Sequence, residues 1–213
     1  MLFRSHDASS AKLKQLLAGV TEVQGNITIQ GNLAPATLFP KLTSAWALQV
    51  TGGSKGQKLD IPATLTSLAK LSVFDSQFMS IEGAAGLKNL SVLEISQNQS
   101  LISVNLLDKA SSVGSINVSV NPMLVNLSVA TNVTQLDHLD LHDNVQLNSV
   151  QPWPSLTSIG GDVLVSNCPS LDVVVFLPAL KSVGSLNFSK LGGKLIELDR
   201  KSTRLNSSHL GIS

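Results

Sequence analysis

Apolar-x-apolar triplets return along this chain at a nearly constant interval. Leu93, Ile116, Leu139, Val163 and Leu186 are separated by 23, 23, 24 and 23 residues, and Ile95, Val118, Leu141, Val165 and Phe188 follow at the same steps. Looser spacing upstream adds Phe74 with Ser76, Leu48 with Val50 and Ile27 with Ile29, giving eight copies. A period of this length is the sequence sign of a solenoid built from short parallel strands. In each triplet the outer two residues point one way and the middle one points the other, so each coil carries a strand with one dry face. A single coil cannot bury that face. Stacking coils about 4.8 Å apart can, and that requirement predicts a β-rich solenoid with one parallel sheet of about eight short strands.

A polar position repeats with the same period. Asn98, Asn121 and Asn144 each fall three residues after the second inward residue, and Asn167 falls two after. An amide turned inward there can bond backbone groups of its own coil and the next, so these four are expected to form a structural ladder. The outward positions form a second set, with Asp75, Glu94, Asn117 and Asp140 toward the middle and His142 two residues beyond Asp140. This face is polar and small, and it lacks the aromatic and arginine anchors of tight protein interfaces. It is expected to bind weakly or multivalently, to a cationic protein patch or a glycan.

Three segments before the strands share a further motif: FPKLTSA at 39–45, WPSLTSI at 153–159 and LPALKSV at 177–183. With IGGDVLVSNCPSL after the second, and VTEVQGNITIQGN at 20–32, the pattern resembles the receptor L-domain. That family is a short-solenoid relative of leucine-rich repeats, found in ectodomains of growth-factor-type receptors and in cell-wall-anchored surface proteins of lower eukaryotes. The resemblance covers about residues 20–190. It implies a right-handed coil and an extracellular binding role; this chain lacks the cysteines that often cap such domains.

Composition narrows the chemistry. Fifteen basic residues stand against 14 acidic ones, so there is no basic stripe for nucleic acid. No apolar run is long enough to span a bilayer, and Val173–Leu177 is far too short. One cysteine, Cys168, excludes an internal disulfide and reads as a small core residue. No glycine-rich phosphate loop occurs in the sequence, and no catalytic set is expected. In DHLDLHD at 137–143, His138, Asp140 and His142 share the outer face at a spacing that suits two imidazoles on Zn²⁺. A tight site needs further ligands, so the stretch reads as a solvated face, with no metal and no cofactor expected.

Seven N-x-[ST] sequons precede residue 198, roughly three times the number that the Asn, Ser and Thr content gives by chance. Asn26, Asn89, Asn117, Asn126, Asn132 and Asn187 are expected to carry glycans, whereas Asn98 belongs to the ladder. The excess points to a secreted or cell-surface protein. The function expected is a non-catalytic extracellular recognition module for a protein or glycan, part of a larger protein. A structural cell-wall glycoprotein and an intracellular leucine-rich scaffold are the alternatives.

The ends read differently. Residues 1–19 hold a short helix signal, with Ser9 or Ser10 as cap, Leu13, Leu16 and Leu17 on one face and Gly19 as terminator. Residues 191–198 read as a truncated end of the last repeat. Residues 199–213, DRKSTRLNSSHLGIS, resemble a translated short-read sequencing adapter and have no apolar period with which to dock, so they are set aside as non-native.

Overall fold

The structure, a computed structural model, describes residues 2–4, 11–171, 176–192 and 210–212. The chain enters through β1 (Leu2–Arg4) and α1 (Ala11–Leu17), then β2 (Glu22–Gln30), a four-residue helix α2 (Pro35–Leu38) and β3 (Ser44–Gly52). There follow β4 (Lys58–Ile61), β5 (Ser67–Ser76), β6 (Ser80–Gly83), β7 (Asn89–Ser96), β8 (Ser103–Leu106), β9 (Ser112–Ser119) and β10 (Asn126–Val129). The last part holds β11 (Gln135–Leu136), β12 (His138–Asp140), β13 (Ser149–Val150), β14 (Ser158–Cys168), β15 (Ser182–Leu191) and β16 (Leu210–Ile212). Among the described residues every strand pairing is parallel, and the long sheet runs β1-β2-β3-β5-β7-β9-β12-β14-β15-β16, with β11 also on β14. The molecule is a parallel β-solenoid.

Seven of the eight inward pairs lie where the repeat puts them, from Ile27/Ile29 to Leu186/Phe188, and all are buried. The exception is in β5. Leu71 and Val73 pair with Leu93 and Ile95, so they are the inward residues, and Phe74 stands outward beside Ser96. LSV and FDS each start a triplet with an apolar residue; only the pair 22 residues before Leu93 and Ile95 continues the apolar stack.

A second parallel sheet, β13-β10-β8-β6-β4, was not anticipated by the one-sheet expectation. Its residues alternate as well, with Leu59/Ile61, Val104/Leu106 and Leu127/Val129 buried in the same core. The coils that begin with β3, β5, β7, β9 and β12 thus fold two strands around one apolar interior. Single residues in the left-handed region turn the chain between them: Ala84, Leu107 and Ala130 after the second sheet, and Asp75, Gln97, Val120, Asp143, Asn167 and Lys190 after the long one. Trp153, fully buried, donates its indole N–H to the Val129 carbonyl at 2.8 Å and meets Phe176 edge-on at 5.7 Å.

The ladder is present with three of its four expected members, and Ser76 and Cys168 extend it at the two ends. Asn98 Nδ2 donates to Val73 O at 3.1 Å, Asn121 Nδ2 to Ile95 O at 3.0 Å and Asn144 Nδ2 to Val118 O at 2.7 Å. The Oδ1 of Asn121 accepts both the backbone and side-chain N–H of Asn98, and the Oδ1 of Asn144 does the same for Asn121. Ser76 starts the run, its hydroxyl donating to Asn98 Oδ1 at 2.6 Å. In the next coil the position belongs to Cys168, whose thiol donates to Leu141 O at 3.0 Å. Burial pushes that thiol up to about 11, with the Asn144 backbone N–H opposing the shift. Asn167 is not a rung: it has φ 53° and donates instead to Asp143 Oδ1 at 2.6 Å. Counting three residues from Val165 reaches Cys168, as it reaches asparagine in the other coils.

At the ends, α1 buries Leu17 and leaves Leu16 exposed, so those two do not share a dry face. Ser9, Ser10 and residues 193–209 lie outside the described residues. Leu210–Ile212 does pair, with Leu186↔Leu210 and Phe188↔Ile212, contrary to the expectation that the tail has nothing to dock with. An open sheet edge offers unpaired N–H and C=O groups that a short extended segment can satisfy.

Candidate ligand-binding face

On the outward side of the long sheet three columns of side chains run from coil to coil, because parallel pairing in register superimposes equivalent positions. The central column carries Glu94, Asn117 and Asp140 in successive strands, with Ser72 before them and Leu164 after. Three of the expected face residues are therefore neighbours. Asp75 is not in this column; it sits exposed at the left-handed turn ending β5, and Ser72 takes its place.

The two acids of the column are already partnered. Lys70 Nζ lies 2.9 Å from Glu94 Oε2, which also accepts the Ser72 hydroxyl at 3.2 Å. Asp140, expected to point freely to solvent, is buried, at 8% exposure. Its Oδ1 accepts the His142 backbone N–H at 3.0 Å and lies 2.6 Å from His142 Nδ1. A carboxylate only accepts, so this contact places the imidazole hydrogen on Nδ1 and leaves Nε2 as the outward nitrogen. The nearest further acid, Asp143, is 4.0 Å from Nε2. Between Glu94 and Asp140, Asn117 Oδ1 is enclosed and has no hydrogen-bond partner. His138 lies in the adjoining column, in register with Ser115. Among the described residues no group of three His, Cys, Asp or Glu side chains is placed to hold a metal. Nor is any described helix long and apolar enough to cross a membrane.

Of the sequons, Asn26, Asn89, Asn126, Asn132 and Asn187 are exposed, Asn117 is half-buried and Asn98 is fully buried.

Trp46 was missed. It lies upstream of the triplet positions in β3, and it is 70% exposed. It lines a hollow of about 410 Å³ with Glu22, Gln24 and Ser44. The repeat gave no signal for it: strict alternation puts Trp46 on the same face as Leu48, and it turns outward because the inward phase shifts between buried Ala45 and buried Leu48.

No protein-family model matches this chain, and neither the curated proteins nor the solved structures include a match to it.

Proposed function

We propose that this chain is a non-catalytic recognition module of receptor L-domain type, part of an extracellular or cell-surface protein, which takes its ligand on the outer face of the long sheet. The observation that carries this reading is the continuity of that face. Parallel pairing holds aligned columns of short polar side chains across the coils, the kind of extended surface solenoids use for binding. Lys70 and His142 partner Glu94 and Asp140, which removes the reason to favour a cationic ligand and points to one rich in neutral hydrogen-bonding groups. Exposed sequons support passage through a secretory pathway.

The test is binding of the folded chain to panels of defined oligosaccharides and purified ectodomains. Ser91→Arg with Ser96→Arg obstructs the long sheet on both sides of the Glu94–Asp140 column, and Asn105→Arg with Ser128→Arg obstructs the second. Loss of binding with the first pair alone is the expected result. Loss with the second pair alone removes the proposed face. On the folded protein secreted from a eukaryotic host, peptide mass mapping should find Asn98 without glycan.

A further inference from the structure

Trp46 does not stand alone. Ala45 and Ala47 of β3 pair with Leu68 and Lys70 of β5, which sets Trp46 beside Ala69. Carrying the Lys70↔Val92 register one residue back sets Ala69 beside Ser91, Leu90↔Val113 and Val92↔Ser115 bracket Ser91 beside Gly114, and the Asp137 N–H donates to the Gly114 carbonyl at 2.6 Å. One equivalent position in five successive coils is thus occupied by Trp, Ala, Ser, Gly and Asp. The three small residues make a depression, bounded by Ser67, Asn89 and Ser112 along one side and by Asp137 at its end, with a volume of about 380 Å³. Gly114 leaves no room for a side chain: a Cβ there would lie 2.5 Å from the Ser91 carbonyl oxygen. Ser67 also lines the hollow around Trp46, so the two adjoin as successive parts of a trough along the solenoid axis. From Trp46 to Asp137 is four strand spacings, about 19 Å.

The chemistry of this trough is specific. Its walls offer hydroxyl, amide and carboxylate groups, and its single large apolar surface is an indole left open to solvent, whereas Trp153 is fully buried. An indole face carries negative quadrupole charge and attracts the polarised C–H groups on the face of a sugar ring. Hydroxyl and amide walls suit the ring's equatorial hydroxyls. The depression is too open to strip water from a compact apolar molecule, and it lacks the cluster of aromatic and arginine anchors on which a protein partner depends. Glu22 and Asp137 stand near the two ends, and Lys70 beside Ala69 is taken up by Glu94, so the trough offers no free cation to an anionic ligand. The strand spacing of about 4.8 Å is also close to the advance per sugar along an extended β-linked chain.

We propose that this trough binds an extended, neutral oligosaccharide, with one sugar ring stacked on Trp46 and the following rings over Ala69, Ser91 and Gly114. The proposal rests on the reading of the chain as a recognition module, and it places the ligand upstream of the Glu94–Asp140 column.

The full chain is made in bacteria, so that Asn89, a sequon on the trough wall, carries no glycan. It is titrated with cellohexaose, laminarihexaose, chitohexaose and mannohexaose by calorimetry and by tryptophan fluorescence, which reports Trp46 because Trp153 is sequestered. At least one sugar is expected to bind and to shift the emission to the blue. Trp46→Ala should raise Kd about tenfold or more, with Trp46→Phe retaining part of the affinity. Ser91→Leu, which fills the floor from an exposed position, should also abolish binding while the circular dichroism and Tm stay unchanged. Glu94→Lys should leave the affinity intact. The trough assignment is overturned if none of the four sugars binds at millimolar concentration, or if binding survives both Trp46→Ala and Ser91→Leu. Loss of sugar binding with Glu94→Lys but not with Trp46→Ala overturns the trough while leaving the recognition reading in place.

Discussion

The turn that closes the long sheet is built in two ways within this one molecule. In the first coils it is made of glycine: Gly31 and Gly52 have φ of 97° and 81°, and Gly31 N–H donates to Thr51 O at 2.9 Å. From β5 onward the same corner is filled by Ser76, Asn98, Asn121, Asn144 and Cys168. A corner pulls backbone groups away from the sheet ladder, and they must be satisfied somehow. The first coils bring two backbones close enough to serve each other, which leaves no room for a side chain. The later coils keep the backbones apart and put a polar side chain between them. The glycine solution depends on close approach and the amide solution on buried hydrogen bonds, so different substitutions should break them.

Asn121→Ala is expected to have the largest effect. The side chain donates to Ile95 O, Ser119 O and Asn144 Oδ1 and accepts twice from Asn98, so its removal leaves several buried groups unpaired, at about 3 kcal/mol. Urea denaturation reads this as a lower midpoint with an unchanged slope, and equal midpoints would mean that the ladder is not stabilising. Next comes Gly52→Ala, at about 2 kcal/mol, because alanine is strained at that φ. The new Cβ would also lie 2.8 Å from Gly31 N. Gly19→Ala, with open space around it, serves as the neutral control in the same measurement.

A smaller effect tests whether Cys168 is a rung. Its thiol is neutral in the fold up to about 11, whereas an exposed thiol ionises from about 9. The raised value favours the fold fully below pH 9, and that advantage declines as pH rises from 9 toward 11. Thermal melts across that range should show a decline in the parent protein that Cys168→Ser lacks. The smallest effect is a gain: Val120 is a β-branched residue at φ 56°, where the neighbouring coils hold Gln97, Asp143 and Asn167. Val120→Asn should stabilise by about 1 kcal/mol. A lower Tm would mean that the valine packs usefully.

Most of the solenoid could be read because core burial enforces its period: a side chain at Leu93 must sit over one at Ile116, and that constraint shows in the spacing. Where two alternations competed, as in LSVFDS, local pattern could not choose between Val73 and Phe74, and only the stack above decided. The second sheet has the same period, but strands of two to four residues carry too few alternations to stand out. The face was legible as a set of positions and not as an electrostatic surface. Partnering of Glu94 by Lys70 depends on lateral contacts between coils, and burial of Asp140 depends on how closely its neighbours crowd it. The Asn121 ladder was legible because its geometry is periodic; Cys168 escaped because its residue type differs though its position does not.

The ladder also bears on how the molecule would respond to tension. Its amides all point the same way along the axis, each Oδ1 receiving N–H groups from the coil before it, so the bonds joining successive coils lie nearly along the line between the two ends. A force applied at the termini would load these bonds one after another, and a coil that lets go frees about 23 residues, roughly 80 Å of extended chain. The repeat that makes the fold readable would then set a ruler for its extension. The chain would lengthen in nearly equal increments, with the coils around Asn121 the last to yield.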